Sequence, residues 1–342
     1  MLRFSIIIVS WNALPHLKTF LPSVANTDYV DYEIILANNA SSDGSVEWVR
    51  ENFPEVKIAT FEKNYGYCGG NNRAVSYADG DILLFLNNDV AVDKNWLNAI
   101  NQSFEADDHI AAVQPKMLSY EDPDSFEYAG AAGGFLDKYG YPFCRGRIFD
   151  TLEKDKGQYD KASDIFWGSG AALAIRKEVF EKMLGFDEDF EFHMEEIDLC
   201  WRIWNKGMSV RYCPDSVVYH LGGGSMPMGS PRKVFYNYRN NLRMIWKNAS
   251  SGTLPYRFPV RYKLDIIAAF RSLVTGNFNE FKAIARAHAD FWRHFHRTQE
   301  KRKRLQLERK IDTDPKTMLP VNLIWAYFIK GQRHFDKIVE GK

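Results

Sequence analysis

Five consecutive apolar residues, Ile82 to Leu86, constrain the fold of this chain more than any other stretch. A glycine precedes the run, and Asn87, Asn88 and Asp89 follow it. A run of this length between turn-forming residues is typical of a strand buried on both faces, as in a parallel sheet. Such sheets bind ligands beyond the carboxyl ends of their strands, so the three polar residues are candidate ligand contacts.

The polar residues at 87–89 allow two interpretations. One carboxylate beside two amides can hold a hard divalent cation with its waters, and a diphosphate can complete the coordination shell. The same residue types favour turns, so this stretch can equally be the start of a turn without any ligand. Taken alone, it leaves both interpretations open.

The first 110 residues alternate strands and helices four times. Apolar or β-branched runs at 4–10, 32–37, 56–60 and 82–86 predict four strands, each followed by a helix-like segment. This alternation is typical of a mostly parallel sheet with helices on both faces. The loop after the third strand lacks G-x-G-x-x-G, and no G-x-x-x-x-G-K-[ST] occurs, so neither a dinucleotide cofactor nor a P-loop nucleotide is indicated.

Polar residues also follow the other three predicted strands. Ser10 and Asn12 come at the end of the first strand, and a polar stretch from Asn38 that includes Asp43 follows the second. The stretch 64–73 after the third strand opens a helix. Its glycines let the backbone approach a ligand, and its amides can bond a sugar or a phosphate.

An acidic segment opens a predicted helix at about residue 195. Glu195, Asp198 and Arg202 share one face of this helix, and Glu196 lies about 100° round from Glu195. A structural interpretation is that the acids favour the helix N-terminus and that Asp198 forms an ordinary pair with Arg202. The functional interpretation is a general base at the helix start, beside a second acid that perturbs its pKa.

Residues 166–176 and His220 each allow two interpretations. Residues 166–176 predict a glycine-kinked strand in which Trp167 and Gly168 shape a sugar pocket or simply allow close backbone packing. Short strands are predicted at 209–213 and 216–220. His220 ends the second of them, before a glycine run at 222–224. It is either a metal or phosphate ligand, with the glycine run as a mobile lid, or an ordinary histidine without a ligand.

The charge is divided unevenly along the chain. Residues 231–342 carry 24 Lys and Arg against 9 Asp and Glu, a net charge of +15, which residues 1–230 balance. The four cysteines lack metal-type spacing and no signal peptide is evident, so we expect reduced thiols and a cytoplasmic location. No apolar run reaches the roughly 18 residues that a membrane span needs.

The ordered motifs resemble those of family 2 glycosyltransferases with the GT-A fold, in particular the bacterial rhamnosyltransferase-like branch. The resemblance covers about residues 3–248. The motifs that carry it are Val9-Ser-Trp-Asn12, the stretch 38–45, Asn64-x-Gly-x-x-Gly-Gly-Asn-Asn72, Leu86-Asn-Asn-Asp89, Gly185-Phe-Asp187, Glu195-Glu-x-Asp-Leu-Cys-Trp-Arg202, His220 and Tyr238-Arg-Asn-Asn-Leu-Arg243.

The resemblance implies how donor and metal are bound. Asp89 stands at the end of the family's metal-binding D-x-D and would bridge Mg²⁺ or Mn²⁺ to the leaving diphosphate, with His220 reaching the metal or the diphosphate. The residues implied on the nucleotide-sugar side are Ser10, Asn12, Asn38, Asp43, Asn64, Gly69, Asn72, Asn87 and Asn88. Asn38 replaces an Asp that commonly contacts the base, and its amide can still bond a uracil or thymine imide, so a UDP- or dTDP-sugar is expected.

The resemblance also implies the catalytic and acceptor residues. Glu196 aligns with the second acid of the family's Glu-Asp motif and would deprotonate the acceptor hydroxyl, with Glu195 as the rival base. Asp198 is the third acid of this group, and the residues implied on the acceptor side are Trp167, Gly168, Trp201 and Arg202.

The basic tail predicts a second environment. Residues 256–310 alternate basic and apolar residues, which suits an anionic membrane surface, and residues 319–329 are apolar enough to lie in its interface. Two alternatives are a groove for an acidic polymer or nucleic acid, and a solvated helical hairpin packed on the catalytic domain. Of these we favour the membrane surface and expect no nucleic-acid partner.

The resulting expectation is a GT-A catalytic domain at 1–250 and a basic amphipathic helical extension at 251–342. Within the catalytic domain, about 1–110 would form the nucleotide-binding half and 111–250 the acceptor half. The predicted activity is inverting transfer of rhamnose or another hexose from a nucleotide-diphosphate donor to a glycan or lipid-linked hydroxyl in surface polysaccharide synthesis. The alternatives are a GT-A binding module without catalysis and a cytidylyl-type nucleotidyltransferase, which would need a basic glycine-rich loop that residues 11–12 do not supply.

Overall fold

The computed structural model describes residues 1–127, 130–222 and 229–340. Within these ranges the strands are β1 (Phe4–Ser10), β2 (Tyr32–Asn38), β3 (Lys57–Thr60), β4 (Ile82–Asn87), β5 (Val90–Val92), β6 (Ile110–Ser119), β7 (Gly134–Asp137), β8 (Pro142–Cys144), β9 (Arg147–Ile148), β10 (Thr151–Leu152), β11 (Ser163–Asp164), β12 (Ala172–Arg176), β13 (Ser209–His220) and β14 (Met318–Leu319). The α-helices are α1 (Leu14–Ala25), α2 (Ser45–Asn52), α3 (Gly66–Ala74), α4 (Trp96–Ala106), α5 (Lys177–Lys182), α6 (Glu195–Asn205), α7 (Pro231–Asn248), α8 (Leu254–Val274), α9 (Phe278–Arg293), α10 (Phe295–Leu307) and α11 (Phe335–Glu340). Shorter helical turns lie at Val75–Tyr77, Glu188–Phe190 and Trp325–Ile329.

The main sheet has the order β11-β13-β6-β12-β4-β1-β2-β3, and β5 pairs with the end of β13. Strands β1 to β4 are parallel, which confirms the prediction from the alternating pattern. Strand β12 is antiparallel to both β4 and β6, and β13 is parallel to β6. The carboxyl ends of β1, β2, β4, β6 and β13 therefore meet at one edge of the sheet.

Helices cover both faces of this sheet because successive side chains of its strands point to opposite sides. Ile6 and Ile8 of β1 pack in the same cluster as Leu17 of α1, whereas Ile7 lies in a second cluster with Phe85 and Cys68 of α3. The central strands are apolar at nearly every position for this reason.

A small second sheet has the order β10-β9-β8-β7-β14. It lies against the loop before β12, where a Cβ on Gly134 would come within 2.0 Å of the Trp167 ring. Only glycine leaves room for this contact. The contact explains the glycine at position 134.

Two predicted strand boundaries were wrong. The strand expected over 166–176 begins only at Ala172, because Trp167 forms a bridge to Gly134 and Ser169 N–H donates to the side chain of Gln114. The two strands expected at 209–213 and 216–220 are one strand, β13, in which a bulge between Cys213 and Val217 shifts the register on β6. In the sequence, the residues of such a bulge look like a gap between two separate strands.

The C-terminal extension is built into the catalytic unit. Strand β14 pairs with β7, and Asp137 accepts a hydrogen bond from Leu323 N–H. Arg302 is buried and donates to the carbonyl oxygens of Trp246 and Ala249. The expected boundary at residue 250 therefore does not separate two independent cores, and part of the basic character of 301–304 is used inside the protein.

A largely buried ion cluster connects α10 to α6. Asp187 contacts both Lys247 and Lys301, and Lys247 lies 2.9 Å from Asp198. Asp198 is also paired with Arg202 at 2.9 Å. Burial opposes the charge on Asp187, but the two lysines outweigh it and hold the pKa of this carboxyl far below its usual value.

We expect Asp187→Asn to lower the free energy of unfolding by about 3 kcal/mol, because two buried ammonium groups lose a charged partner. Urea unfolding at neutral pH measures the loss. The control is Asp312→Asn, since Asp312 is exposed and 3.6 Å from Arg309, and this change should cost less than about 0.5 kcal/mol. Equal effects of the two substitutions would show that the cluster does not stabilise the docked extension.

Candidate functional site

Polar side chains gather where the parallel strands end. Ser10 at the end of β1 is opposite Asn38 of β2, and Asn87 of β4 is opposite Val9 on the other side of β1. The Ser10 hydroxyl is buried and has no hydrogen-bond partner among the described residues. A buried polar atom of this kind is costly unless a ligand or water satisfies it.

Asp89 and His220 meet at this edge although they are 131 residues apart. Val90, next to Asp89, is opposite His220 in the pairing of β5 with β13. The pairing brings His220 Nε2 to 3.1 Å from Asp89 Oδ1. Both side chains are buried, so their mutual contact replaces water.

Glu127 completes this contact from the other side of the imidazole ring. Its Oε1 lies 3.2 Å from His220 Nδ1, and its side chain is buried. Burial alone would lower the pKa of His220, but the two carboxylates raise it to about 10. Burial likewise opposes the charge on Asp89, yet His220 outweighs this effect and lowers the pKa of Asp89. Nothing in the sequence singled out Glu127.

The donor set at this edge fits a divalent cation. Asp89 and His220 Nε2 converge, and a carboxylate behind Nδ1 is the usual arrangement for a histidine that ligates a metal. No group of three or more His, Cys, Asp and Glu side chains suited to a metal occurs in the described ranges. The protein would therefore supply two ligands and leave the other positions to waters and a diphosphate, as Mg²⁺ sites commonly do.

The loops after β1 and β2 are fastened to each other. Asn12 accepts a hydrogen bond from Ser42 N–H, and Asp43 accepts one from Leu14 N–H at 2.8 Å. Asn38 accepts from Ser41 N–H within its own loop. Burial opposes ionisation of Asp43, but hydrogen bonds from the Ser45 side chain and from the backbone N–H groups of Leu14 and Ser45 outweigh it and lower its pKa. These loops are therefore fixed in place before any ligand binds.

Asn88 lies beside the same loops, but the residues predicted at 64–72 are used mainly inside the protein. Asn88 donates to Val9 O and lies 3.4 Å from His16 Nδ1. Asn64 accepts from Gly66 N–H, and the amide of Asn72 bonds both N–H and C=O of Phe186. A Cβ on Gly69 would lie 2.9 Å from Tyr65 Cβ, so this glycine serves packing within α3.

The two glutamates at the start of α6 each have an unsatisfied carboxylate oxygen. Oε2 of Glu195 and Oε2 of Glu196 are both buried and lack a hydrogen-bond partner among the described residues. Glu195 is buried as a whole, whereas Glu196 keeps part of its surface exposed. Glu196 is therefore the more accessible of the two carboxylates.

Burial also sets the protonation of this pair. It raises the pKa of Glu195 well above its usual range, and the charge of Glu196 adds to the rise. Burial raises the pKa of Glu196 to about 7. Burial thus favours the neutral form of Glu195, and the pKa of Glu196 suits a group that exchanges a proton near neutral pH, as a general base must.

Tyr67 connects the glutamates to the strand ends. Burial and the charges of Glu195 and Glu196 raise its pKa, and its hydroxyl donates to Gly170 O at 2.6 Å. The neighbouring Ala171 O accepts from Asn87 N–H. The acid pair and the metal candidates therefore border the same edge of the sheet.

The loop before α6 is held in a strained conformation. Glu191, His193 and Met194 have positive φ angles of 62°, 66° and 71°. Asn240 of α7 donates to the carbonyl oxygens of residues 190, 192 and 193. Strained backbone that its surroundings fix in this way is common beside active sites. The sequence motif at 238–243 included Asn240 without indicating this role.

Several residues predicted to be catalytic or on the acceptor side lie inside the protein. Asp198 is fully buried and paired with Arg202, Lys247 and Asn248. Arg202 also donates to two backbone carbonyls, at Met183 and Gly185. These bonds hold α6 in place and leave neither side chain free to touch an acceptor.

Trp201, Trp167 and Gly168 also pack against protein. Trp201 has no exposed surface and lies edge-on to Phe166. Trp167 donates its indole N–H to Phe135 O, and a Cβ on Gly168 would lie 2.7 Å from Leu173. Close packing, the alternative considered for 166–176, describes this stretch. Residues 223 and 224, part of the predicted lid, lie outside the described residues.

The sequence pattern of glycosyl transferase family 2 matches residues 5–184, more than half of the chain. The chain belongs to this family. The matched segment contains Asp89 and the loops after β1, β2 and β3, whereas Glu196 and His220 lie beyond it.

Two curated relatives are similar over long stretches. The N-acetylglucosaminyl-diphospho-decaprenol L-rhamnosyltransferase of Mycobacterium tuberculosis is 25% identical over 285 residues, which cover 78% of this chain and 91% of the relative. The O-antigen biosynthesis protein RfbC of Myxococcus xanthus is 30% identical over 212 residues, which cover 60% of this chain and 16% of the relative.

Solved structures confirm the predicted GT-A fold. GalNAc-T7 with UDP, GalNAc and Mn²⁺ matches with a TM-score of 0.60 at 20% identity, over 75% of this chain and 50% of the other. The mannosyltransferase PcManGT from Pyrobaculum calidifontis with GDP-Man and Mn²⁺ matches with a TM-score of 0.52 at 16% identity, over 90% and 85%. At these identities the likeness establishes the fold alone.

Proposed function

We propose that this glycosyltransferase moves rhamnose or another hexose from a UDP- or dTDP-sugar to a hydroxyl of a glycan or lipid-linked acceptor, with inversion at the anomeric carbon. The observation that carries the proposal is the contact of Asp89 with His220 at the carboxyl edge of the sheet. A buried acid and imidazole brought together there would hold the metal–diphosphate end of the donor.

The proposed metal ligands are Asp89 and His220, with Glu127 as a positioning residue. A divalent cation held there would neutralise charge on the departing diphosphate. A metal would displace the proton from His220 Nε2, and Glu127 would keep the remaining proton on Nδ1. The fixed loops with Asn12, Asn38 and Asp43 would receive the nucleotide.

Glu196 is the proposed base. Its carboxylate would take the proton of the acceptor hydroxyl as that oxygen attacks the anomeric carbon from the face opposite the diphosphate. The bond to the diphosphate breaks as the new glycosidic bond forms, so the configuration inverts. The neighbouring Glu195, held neutral by burial, supports this choice because only one of the two carboxylates is then free to accept a proton.

The acceptor class and location rest on the relatives. The mycobacterial relative is named for a diphospho-decaprenol substrate and the myxobacterial one for O-antigen biosynthesis. We therefore infer a role in surface polysaccharide assembly, on a lipid-linked acceptor at the cytoplasmic face of the membrane. None of the described helices has the length and apolarity needed to cross a bilayer.

The test is a screen of nucleotide sugars, including dTDP-rhamnose, that measures release of nucleoside diphosphate with several acceptors and Mn²⁺. We expect Glu196→Gln to lower kcat by about 10²–10⁴-fold, the usual contribution of a general base, and Asp89→Asn to abolish metal-dependent release. Glu121→Gln, at an exposed residue, is the matched control. Release from no donor would favour a binding module without catalysis, and full activity of Glu196→Gln would move the base to Glu195.

The rate should depend on pH through Glu196. Burial raises its pKa to about 7, so the ionised form is lost as the pH falls, and kcat/KM should drop about tenfold per unit below pH 7. Because the fold disfavours the charged form, Glu196→Gln should be no less stable than the wild type at pH 8. A break near pH 4.3, the ordinary value for Glu, would contradict this assignment.

The role of Glu127 can be measured without turnover. Glu127→Gln keeps the size of the side chain but removes the charge behind His220, and we expect Mn²⁺ affinity to fall about 10–100-fold. Calorimetric titration of Mn²⁺ in the presence of nucleoside diphosphate measures it, again with Glu121→Gln as control. If Glu127→Gln binds Mn²⁺ as tightly as the wild type while His220→Ala loses binding, His220 is a metal ligand but Glu127 does not position it.

A further inference from the structure

Helix α8 buries three of its charged side chains and exposes several of its large apolar ones. Arg257, Arg261 and Asp265 are at most 4% exposed, whereas Ile267 and Phe270 are 62% and 64% exposed. A helix on the surface of a water-soluble domain normally has the opposite arrangement. The outward side of α8 therefore requires an explanation.

The inward side of α8 is fixed by ion pairs. Arg257 pairs with Asp314 and donates to Lys138 O. Arg261 pairs with Asp265, which also lies 3.2 Å from His288 Nε2 on α9. Turning the helix would separate Arg257 from Asp314 and Asp265 from His288, at a cost of several kcal/mol. The outward orientation of the apolar side chains is thus determined by the protein interior.

The outward side of α8 forms one continuous apolar surface. From Ile266 to Val274 its members recur at helical spacings of three and four residues, Tyr256 lies about three turns before Ile267 on the same side, and Phe278 at the start of α9 follows. This surface, which we call the outer face of α8, consists of Tyr256, Ile266, Ile267, Phe270, Leu273, Val274 and Phe278. Contiguous exposed apolar surface of this kind marks an interaction site.

The charges around the outer face are of one sign. Within residues 254–297, all of which are described, the exposed charged side chains are Lys263, Arg271, Lys282, Arg286, Arg293 and Arg297. In the same range no acidic side chain is exposed, because Asp265 is buried and Glu280 and Asp290 are partly covered. A two-fold contact with a second copy would bring like charges together, whereas an anionic lipid surface complements them.

We propose that the outer face of α8 inserts into the interface of an anionic membrane, with the surrounding basic residues contacting lipid headgroups. This inference rests on the proposed function, since a lipid-linked acceptor requires the enzyme to work at a membrane. It places the contact on α8 and the start of α9, because Lys301 and Arg302 are engaged within the protein. Apolar insertion combined with basic charge is how interfacial helices bind.

The experiment compares co-sedimentation of the full-length protein with vesicles of phosphatidylcholine alone and with 30% phosphatidylglycerol, a mixture chosen for about the charge of a bacterial membrane. The test variant carries Ile267→Gln and Phe270→Gln. The control carries Val30→Gln and Leu307→Gln, two apolar residues that are each 89% exposed and lie outside α8. Release of nucleoside diphosphate in detergent without vesicles is measured for every variant.

We expect the wild type and the control to bind anionic vesicles, and the test variant to bind at least about tenfold more weakly with unchanged diphosphate release. Binding of the test variant equal to wild type would overturn the proposal, as would diphosphate release by a wild type that binds no vesicles. A dimer in lipid-free sedimentation that the test variant dissociates would also overturn it, since the face would then join two copies. Vesicle binding without diphosphate release from any donor would contradict the proposed function and leave the membrane contact standing.

Discussion

The short ladder between β5 and the end of β13 is the interaction on which the site depends. It joins a segment that directly follows the apolar strand β4 to a strand more than 100 residues later, and it fixes Asp89 against His220. Backbone hydrogen bonds in a buried ladder hold their register firmly. The backbone pairing alone therefore places the acid next to the imidazole.

Burial sets the pKa values and the charge interactions of the site residues. The same exclusion of water that makes the sheet stable raises the pKa of Glu195 and Glu196, and it strengthens the interaction of His220 with its two carboxylates. The segments that carry these groups are held by Asn240, Tyr67 and the Asp198–Arg202 pair. Functional residues and supporting residues are thus divided between the edge of the sheet and the interior behind it.

The sequence predicted those features that depend on local pattern. Alternation gave the parallel sheet, and the polar residues that end its strands, such as Asn38 and Asp89, are where they were expected. Periodicity shows which residues share a helix face but not which neighbour that face meets, so Trp201 and Arg202 were assigned to the acceptor side although they are buried. Glu127 was missed because a single acid in an irregular stretch has no pattern. The sequence also did not predict that the apolar side of α8 faces outwards, because an amphipathic pattern does not reveal which side of a helix faces the protein.

The position of β14 has a consequence for the order in which the protein is made. A ribosome must synthesise Lys301 and the residues of β14 before the ion cluster around Asp187 and the small sheet can close. Until then the front part carries an excess of negative charge and lacks the partners that Lys301 and β14 supply to Asp187 and β7. Because the basic tail brings both the missing contacts and the opposite charge, the catalytic unit closes only after this part of the chain has been made.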